Sequence, residues 1–277
     1  MIIVAKHAGF CSGVKRAVST AFSVADHNKE SRIFTYGELI HNPQVLKQLK
    51  DKKVKITKSL TGLKKGDILI IRSHGASPEV YRKAREKGLR VIDATCPFVK
   101  VAHEKIQMLE KEGFLPLIVG EAKHPEVMAL RKFVRKAIVV ADASKVPLSI
   151  KGKRIGVISQ TTQPVENFNT VTEEARKLAK EIKVFNTICS ATTIRQEEAK
   201  RLAGKVDIMI VVGGYSSANT KKLAELCSRI VETHQIETAE ELKISWLKGK
   251  KRIGITAGAS TPSEAIQDVE SAIRSSA

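Results

Sequence analysis

Three cysteines carry the strongest chemical signal in this sequence of 277 residues. Cys11, Cys96 and Cys189 each follow a short apolar run and precede a stretch that is typical of a helix start. They lie 85 and 93 residues apart, so only the fold could bring them together. Three thiolates could hold three corners of a cubane cluster and leave the fourth iron open, or join one histidine in a structural zinc site. We favour the cluster, because the other polar residues discussed below predict a substrate pocket.

The cysteines begin an internal repeat of about ninety residues. Each block has three polar positions, here called stations, each of which follows an apolar run. Station one is the cysteine, and stations two and three are His41 and His74, then His124 and Thr161, then Asn219 and Ser260. Apolar runs that alternate with charged amphipathic stretches predict βα units with parallel sheets. We therefore predict three pseudo-symmetric α/β domains, 12–95, 96–188 and 189–277, with an N-terminal strand in 1–11 near the centre.

Prolines mark where the predicted helices start. Six of them follow a station and precede a helical pattern: Pro43, Pro78, Pro97, Pro125, Pro164 and Pro262. We predict that each occupies the first helical position, where the missing N–H costs nothing. Every station is then the carboxyl end of a strand and the start of a helix, which is where open α/β sheets bind ligands and where helices favour phosphate.

The residue types at the stations suit a diphosphate. His41, His74 and His124 can donate hydrogen bonds to it. The other polar residues there are Glu126, Thr161, Thr162, Ser217, Asn219 and Ser260. Glu126 could equally be an ordinary acidic residue in the first turn of a helix, where the macrodipole favours it. We interpret the remaining histidines (His7, His27, His103 and His234) as structural or surface residues. Cys227 falls on an apolar helical stripe with Leu223, Leu226 and Ile230, and we predict that it lies in the core.

Composition narrows the class of protein. The net charge is +19, but the basic residues are scattered over every predicted helix and aromatic residues make up only 4%. This pattern argues against a nucleic-acid partner and suits an anionic small molecule or an acidic redox partner. No apolar run approaches the ~20 residues of a membrane span, and the N-terminus lacks the layout of a signal peptide. We expect a cytoplasmic protein, whose reducing surroundings disfavour disulfides.

Several motifs closely resemble a known family along essentially the whole chain. They are G-F-C-S-G-V-K-R-A, L-I-H-N-P, R-S-H-G-A, D-A-T-C-P, K-H-P-E-V, Q-T-T, C-S-A-T-T-I-R-Q-E-E-A and T-A-G-A-S-T-P. The family is that of the 4-hydroxy-3-methylbut-2-enyl diphosphate reductases, the last enzymes of non-mevalonate isoprenoid biosynthesis. The resemblance implies a trefoil-like set of three α/β domains around a [4Fe–4S] cluster bound by Cys11, Cys96 and Cys189. It also implies the reduction of an allylic alcohol diphosphate to isopentenyl and dimethylallyl diphosphate.

The resemblance also implies roles for the other stations. The residues expected to hold the diphosphate are His41, His74, His124, Ser217, Asn219 and Ser260. Thr161 and Glu126 would serve the hydroxyl end, with Glu126 delivering protons and His124 close to the chemistry. The family usually has serine where this chain has Ala218, so one hydroxyl contact is lost. A ferredoxin or flavodoxin is the expected electron donor. The alternative hypothesis is a non-catalytic, zinc-stabilised module that binds phosphorylated ligands or RNA.

Overall fold

The fold consists of three separate parallel sheets with helices packed around them. A computed structural model describes residues 1–275 of the chain. The strands are β1 (Ile2–Val4), β2 (Ile33–Tyr36), β3 (Lys55–Thr57), β4 (Ile68–Ile71), β5 (Arg90–Asp93), β6 (Leu115–Val119), β7 (Ile138–Val140), β8 (Arg154–Ser159), β9 (Glu181–Phe185), β10 (Ile208–Val212), β11 (Thr233–Ile236) and β12 (Ile253–Ala257). Each strand pairing among them is parallel. The predicted α/β class with parallel sheets is confirmed.

Helices connect consecutive strands except β3 to β4, which are joined by a loop, and β7 to β8, which are joined through 3₁₀ turns. They are α1 (Ser12–His27), α2 (Pro43–Asp51), α3 (Pro78–Glu86), α4 (Pro97–Lys111), α5 (Pro125–Leu130), α6 (Val165–Leu178), α7 (Ser190–Ala203), α8 (Ala218–Ser228), α9 (Ile244–Leu247) and α10 (Ser263–Ser275). Short 3₁₀ turns at Arg131–Phe133, Ala143–Lys145, Leu148–Ile150 and Ala239–Glu241 complete the connections. Among the described residues, no helix is both long and apolar enough to cross a membrane.

The three sheets share one strand order. Two of them run β3-β2-β4-β5 and β7-β6-β8-β9, and the third runs β11-β10-β12-β1. The N-terminal strand β1 therefore occupies the edge position that β5 and β9 occupy in the other sheets. Each of these three edge strands leads to one of the cysteines at station one. The repeat read from the sequence is thus a repeat of topology, in which the third sheet takes its last strand from the start of the chain.

The central strands are almost continuously apolar because both of their faces are covered. All four residues of β4 and all five of β10 are buried. Along β10, Ile210 and Val212 pack on one side of the sheet, and Met209 and Val211 pack on the other. Such alternation is the period-two geometry of a strand that is enclosed by helices on both faces. The core therefore consists of separate layers on the two sides of each sheet.

Contacts divide the chain into two compact units. One contains Met1–Lys15, His41–Val45 and the chain from Ser190 onward, including the sheet of β1, β10, β11 and β12. The other contains Arg16–Ile40 and Leu46–Cys189, with the remaining two sheets. The domain boundaries that we read from the sequence stay a prediction.

Two local expectations were wrong. Pro43, Pro78, Pro97 and Pro125 are the first residues of their helices, but Pro164 and Pro262 lie one residue before α6 and α10. A proline just outside the helix still gives up no intrahelical hydrogen bond, so both positions satisfy the same constraint. Ile230 lies beyond the end of α8 and is 48% exposed. The helical stripe of which it was predicted to be part ends at Cys227.

Candidate functional site

All three station-one cysteines lie directly before a helix. Cys11 precedes α1, Cys96 is the N-cap of α4, and Cys189 precedes α7. Each is partly buried, and none of the described cysteines forms a disulfide. Helix N-termini stabilise thiolates, which are the form of cysteine that binds metal. In the unit that contains it, Cys11 Sγ accepts a hydrogen bond from Val14 N–H at 3.4 Å. Each of the three cysteines therefore has the setting of a thiolate that can ligate a metal.

The backbone around the cysteines repeats as closely as the residue types do. The N–H of Cys96 donates to the Ser73 carbonyl at 2.9 Å, and that of Cys189 to the Thr161 carbonyl at 3.0 Å. In the other unit, the N–H of Cys11 donates to the Ala259 carbonyl at 3.2 Å. Ser73 precedes His74 and Ala259 precedes Ser260, so each acceptor lies at or next to station three. Each cysteine at station one is thus tied by one main-chain hydrogen bond to a residue at or next to station three of another repeat.

Cys227 has a different environment from the other three cysteines. It is fully buried among Leu223 of α8, Ala199 of α7 and apolar residues on one face of β10. Its S–H donates to the Ala199 carbonyl at 3.8 Å. Burial raises the pKa of the Cys227 thiol to about 12, so it stays protonated. The prediction that Cys227 is a core residue is confirmed.

Glu126, in α5, and Thr161, two residues after β8, form a hydrogen-bonded pair. The carboxylate accepts two hydrogen bonds, one from the Thr161 N–H at 2.7 Å and one from the Thr161 hydroxyl at 2.8 Å. Glu126 is only 1% exposed, although it lies in the first turn of α5. An acidic residue placed there only to complement the macrodipole would face solvent, so the burial supports a functional role.

The burial of Glu126 changes its acidity. Loss of solvent raises the pKa of the carboxyl to about 7, even though both hydrogen bonds from Thr161 act to lower it. Removal from water penalises the ionised form more than two donors can offset. A carboxyl group with such a pKa can hold a proton at neutral pH and can also release it, which is what a general acid requires.

His124 is the N-cap of the helix that carries Glu126. Its Nδ1 accepts a hydrogen bond from the Glu126 N–H at 3.2 Å, which leaves Nε2 as the protonated nitrogen of the neutral ring. The His74 ring meets the His124 ring edge to face, with 5.2 Å between the centroids. Stations of two successive repeats, His74 and His124, are therefore in direct contact.

His103 packs beside the residue that follows His74. Its ring stacks on Phe133 with centroids 4.0 Å apart, and a Cβ on Gly75 would come within 2.8 Å of it. Burial lowers the pKa of His103 to about 4, so the ring is neutral and can pack closely. Gly75, with φ +77°, follows His74 directly, and a side chain there would disturb both the backbone and this contact. His103 is structural, as its position outside the stations suggested.

In the unit that contains the β10 sheet, His41 lies beside two other stations. The Ser260 hydroxyl donates to the His41 carbonyl at 3.1 Å. A Cβ on Gly214 would lie 2.9 Å from the same carbonyl oxygen, so the loop after β10 approaches His41 as closely as a backbone can. His41, Ser260 and the loop that leads to Ser217 are therefore brought together.

The start of α8 presents an amide without a partner. The Ser217 Oγ caps the helix by accepting from the Thr220 N–H at 3.3 Å. The Asn219 side chain is only 4% exposed, yet neither its amide nitrogen nor its oxygen has a hydrogen-bond partner. Ala218, between them, is also buried. A buried amide left unpaired beside a helix N-terminus is what a binding site for an anionic ligand requires before the ligand arrives.

Two buried polar residues were missed in the sequence. Gln160 Oε1 accepts from the Glu121 N–H at 3.0 Å, and its Nε2 donates to the Thr162 hydroxyl at 2.8 Å. Thr162 is therefore engaged in holding the loop beside Thr161. Arg195 in α7 is buried and binds main-chain carbonyls before Cys11. Both lie inside motifs that carry the family resemblance, Q-T-T and C-S-A-T-T-I-R-Q. Those motifs contain more residues than the stations do, and this was the signal that could have identified Gln160 and Arg195.

Known proteins are similar to this chain over nearly its whole length. Residues 2–274 match the family described as LytB protein. The 4-hydroxy-3-methylbut-2-enyl diphosphate reductase of Geobacter metallireducens is 47% identical over 275 residues, covering 99% of this chain and 96% of that one. The enzyme of the same name from Aquifex aeolicus is 46% identical over 280 residues, with coverage of 99% and 96%.

Solved structures are similar as well. One, described as (E)-4-hydroxy-3-methyl-but-2-enyl diphosphate reductase, the terminal enzyme of the non-mevalonate pathway, has a TM-score of 0.74 at 46% identity and 99% coverage of both chains. The E-1-hydroxy-2-methyl-but-2-enyl-4-diphosphate reductase of Plasmodium falciparum has a TM-score of 0.91 at 30% identity, covering 98% of this chain and 87% of that one.

Proposed function

The chain belongs to the LytB protein family, and on that premise we propose that it reduces (E)-4-hydroxy-3-methylbut-2-enyl diphosphate to isopentenyl diphosphate and dimethylallyl diphosphate. The observation that carries the proposal is the recurrence of a cysteine before a helix in each of the three repeats, each tied by one main-chain hydrogen bond to a residue at or next to station three of another repeat. Three equivalent thiolates suit an open cluster site, whereas a disulfide would use only two of them.

Cys11, Cys96 and Cys189 are the proposed ligands of a [4Fe–4S] cluster. Three protein thiolates leave one of four irons without a protein ligand. When bound, such a cluster supplies electrons and a Lewis acid for the substrate hydroxyl. The two electrons come from an external donor, for which we propose a ferredoxin or flavodoxin. The high positive charge of the chain suits an acidic partner of that kind.

The reaction needs two protons as well as two electrons. The allylic C–O bond breaks, the hydroxyl leaves as water with one proton, and the second proton is added to carbon. Glu126 is the proposed proton source because its raised pKa lets it carry a proton at neutral pH. The Thr161 hydroxyl already donates to Glu126, so its oxygen is left to accept a hydrogen bond from the substrate hydroxyl.

The remaining stations are the proposed diphosphate site, with His41, His74, His124, Ser217, Asn219 and Ser260 as its residues. Ser217 accepts in its capping bond, so its hydroxyl proton is available to a phosphate oxygen. Ser260 instead donates to the His41 carbonyl, and an ionised phosphate oxygen can only accept. Ser260 must therefore turn away from His41 when it binds phosphate. The anchor would hold the reacting end in place without entering the chemistry.

Anaerobic purification tests the proposal. The expected result is a brown protein with about four irons and four sulfides per chain, the content of one cubane. Cys11→Ser, Cys96→Ser and Cys189→Ser should each lower the iron content, while Cys227→Ser is the matched control and should keep it. Conversion of the substrate with a reduced one-electron donor, followed by chromatography of the products, tests the activity itself.

A colourless protein that contains zinc and does not turn over the substrate would contradict the proposal and favour the zinc-stabilised binding module instead. Loss of iron in Cys227→Ser would show that the core cysteine is a ligand after all. The cytoplasmic location and the absence of a nucleic-acid or membrane partner stay predictions.

A further inference from the structure

Helix α7 forms side-chain hydrogen bonds to the main chain of the segment that leads to Cys11. Two of its residues, Arg195 and Glu198, bind the main chain of residues 6–9, between β1 and the cysteine. We call these two residues the clamp. Both they and Cys11 lie in the same compact unit, and α7 itself begins one residue after Cys189 in the chain.

Arg195 acts on carbonyl oxygens. Its Nε donates to the His7 carbonyl at 2.9 Å, its Nη2 to the Gly9 carbonyl at 2.8 Å, and its Nη1 to the Ala191 carbonyl at 2.9 Å. The side chain is only 4% exposed. A buried guanidinium that donates to three main-chain carbonyls fixes the position of those backbone segments. Its planar group offers the donors in only one geometry.

Glu198 acts on the donors of the same segment. Its Oε1 accepts from the Lys6 N–H at 2.8 Å, and its Oε2 accepts from the His7 N–H at 2.8 Å. The His7 ring adds a contact from Nδ1 to Oε2 at 2.9 Å. The clamp therefore holds the segment by its N–H groups and by its carbonyls at once.

Beyond the clamp, the chain has little freedom before it reaches Cys11. Gly9 has φ +90°, and a Cβ there would lie 3.1 Å from both the Thr261 carbonyl and the Ile266 side chain. The Cys11 N–H then donates to the Ala259 carbonyl. The position of the Cys11 thiol thus depends on two anchors, the clamp on one side and Ala259 on the other.

Basic residues also contact the segments before the other two cysteines, but through single contacts. In the second unit, Arg16 of α1 donates to the Thr95 carbonyl, directly before Cys96. Lys105 of α4 lies over the Phe185 ring at 4.9 Å, at the end of the strand before Cys189. In each repeat a basic residue from a helix that follows one cysteine thus contacts the segment before another. Among the described residues, the segment before Cys11 is the one in which an arginine binds main-chain carbonyls and a glutamate binds main-chain N–H groups.

We propose that Arg195 and Glu198 are positioning residues for Cys11, setting where its thiolate meets the cluster. The inference rests on the proposed function for its purpose, but it can be tested on the protein without metal. A residue that merely stabilises the fold would change all three cysteines alike, whereas the clamp should affect Cys11 selectively.

The test measures how fast iodoacetamide alkylates each cysteine in the metal-free protein, peptide by peptide, by mass spectrometry. In Arg195→Met, two carbonyls of the segment lose their buried donors, and we expect alkylation of Cys11 to become about tenfold faster. Cys96 and Cys189 should change by less than about twofold. Arg195→Lys should show a smaller increase, because one ammonium cannot reproduce the fork.

Glu198→Gln provides a second, milder variant if Arg195→Met does not fold. Matched controls lie on the exposed face of the same helix: Arg201→Met and Glu197→Gln. Neither should change the alkylation of Cys11. An unchanged Cys11 rate in both clamp variants, or an equal rise at all three cysteines, would overturn the proposal.

The purified holoprotein gives an independent readout. Iron should be lost to a chelator several-fold faster from Arg195→Met than from Arg201→Met, because one ligand is held less firmly. Equal rates of iron loss in the two variants would count against the clamp. If the unaltered protein binds no iron at all, the proposed function fails, while the alkylation rates still decide whether the clamp positions Cys11.

Discussion

The Glu126–Thr161 pair and the start of α8 are both buried and polar, yet they are prepared for a ligand in opposite ways. In the first, each carboxylate oxygen already has a donor from Thr161. In the second, both polar atoms of the Asn219 amide lack a partner. One group is complete in the free protein, and the other is incomplete until something binds.

The difference follows from what each group has to do. A proton donor must have a defined pKa before the substrate arrives, so its hydrogen bonds and its burial are built into the protein. An anchor for a highly charged ligand gains more if its donors are not already used, since each donor then forms a charge-assisted bond on binding. The proposed proton donor, Glu126, is therefore fully hydrogen-bonded before the substrate binds, whereas the proposed anchor, Asn219, forms its hydrogen bonds only on binding.

Removing the carboxyl of the complete pair should have the largest effect. We expect Glu126→Gln to lower kcat by about 10²–10⁴-fold, the usual contribution of a general acid, because an amide cannot release the proton. Iron content and substrate affinity should stay near those of the unaltered protein. Steady-state kinetics and iron analysis measure these quantities, with Glu121→Gln, an exposed neighbour, as the control. A kcat within threefold of normal would remove Glu126 from the mechanism.

The same carboxyl should make stability depend on pH. The pKa of Glu126 in the folded protein is about 7, against an ordinary value of 4.5, so the folded state binds the proton more tightly than the unfolded state does. The contribution to stability is therefore fully present below pH 4.5 and is lost as the pH rises through 7. At about 1.4 kcal/mol per unit of pKa, the loss amounts to about 3 kcal/mol.

Denaturant unfolding of the metal-free protein at pH 4.5, 6 and 8 measures this loss, with Glu126→Gln as the reference. The unaltered protein should lose stability relative to the variant over this range. Parallel curves for the two proteins would mean that the carboxyl titrates normally.

At the incomplete site, Asn219→Ala should weaken binding without weakening the fold. Loss of one charge-assisted hydrogen bond should raise KM by about 10–100-fold, while kcat changes little. The free energy of unfolding of the ligand-free protein should not fall, because the amide that is removed has no partner to lose. Asn169→Ala, on the exposed side of α6, is the control for both measurements. A clear loss of stability would show that the amide is paired in the free protein.

The smallest effect is expected at Ala218. Ala218→Ser adds a hydroxyl in the first turn of α8, where it can donate to the diphosphate, and should lower KM by about threefold with kcat unchanged. Steady-state kinetics against Ala224→Ser, farther along the same helix, provides the comparison. A higher KM would mean that the buried hydroxyl is satisfied within the protein and competes with the ligand.

Much of the fold could be predicted because a parallel strand is read directly from its apolar run. The runs before His74 and Asn219 are β4 and β10, whose residues are all buried. Helical spacing and the apolar character of free cysteine predict Cys227 in the core, and its apolar environment confirms this. These predictions succeeded because periodicity reports which face of an element is buried.

The polar interior could not be predicted in the same way. The buried face of α7 includes Thr192, Arg195 and Gln196, so its pattern does not look like a core-facing helix. Arg195 is buried because main-chain carbonyls distant in sequence accept its donors, and periodicity carries no information about such partners. For the same reason, the sequence predicted Glu126 as a site residue but not the two bonds from Thr161 that complete it.

The edge position of β1 has a consequence for synthesis of the protein on the ribosome. Cys96 and Cys189 follow strands that pair with β4 and β8, which have already been made when these cysteines emerge. Cys11 is translated first of the three, but β1 pairs with β12, where Ile2 lies opposite Ile253. At roughly 5–20 residues per second, the nascent chain waits about 12–50 s for that partner. The first proposed ligand made thus follows the strand whose partner is made last, and a cluster that needs all three cysteines in place would be inserted after β12 has been made.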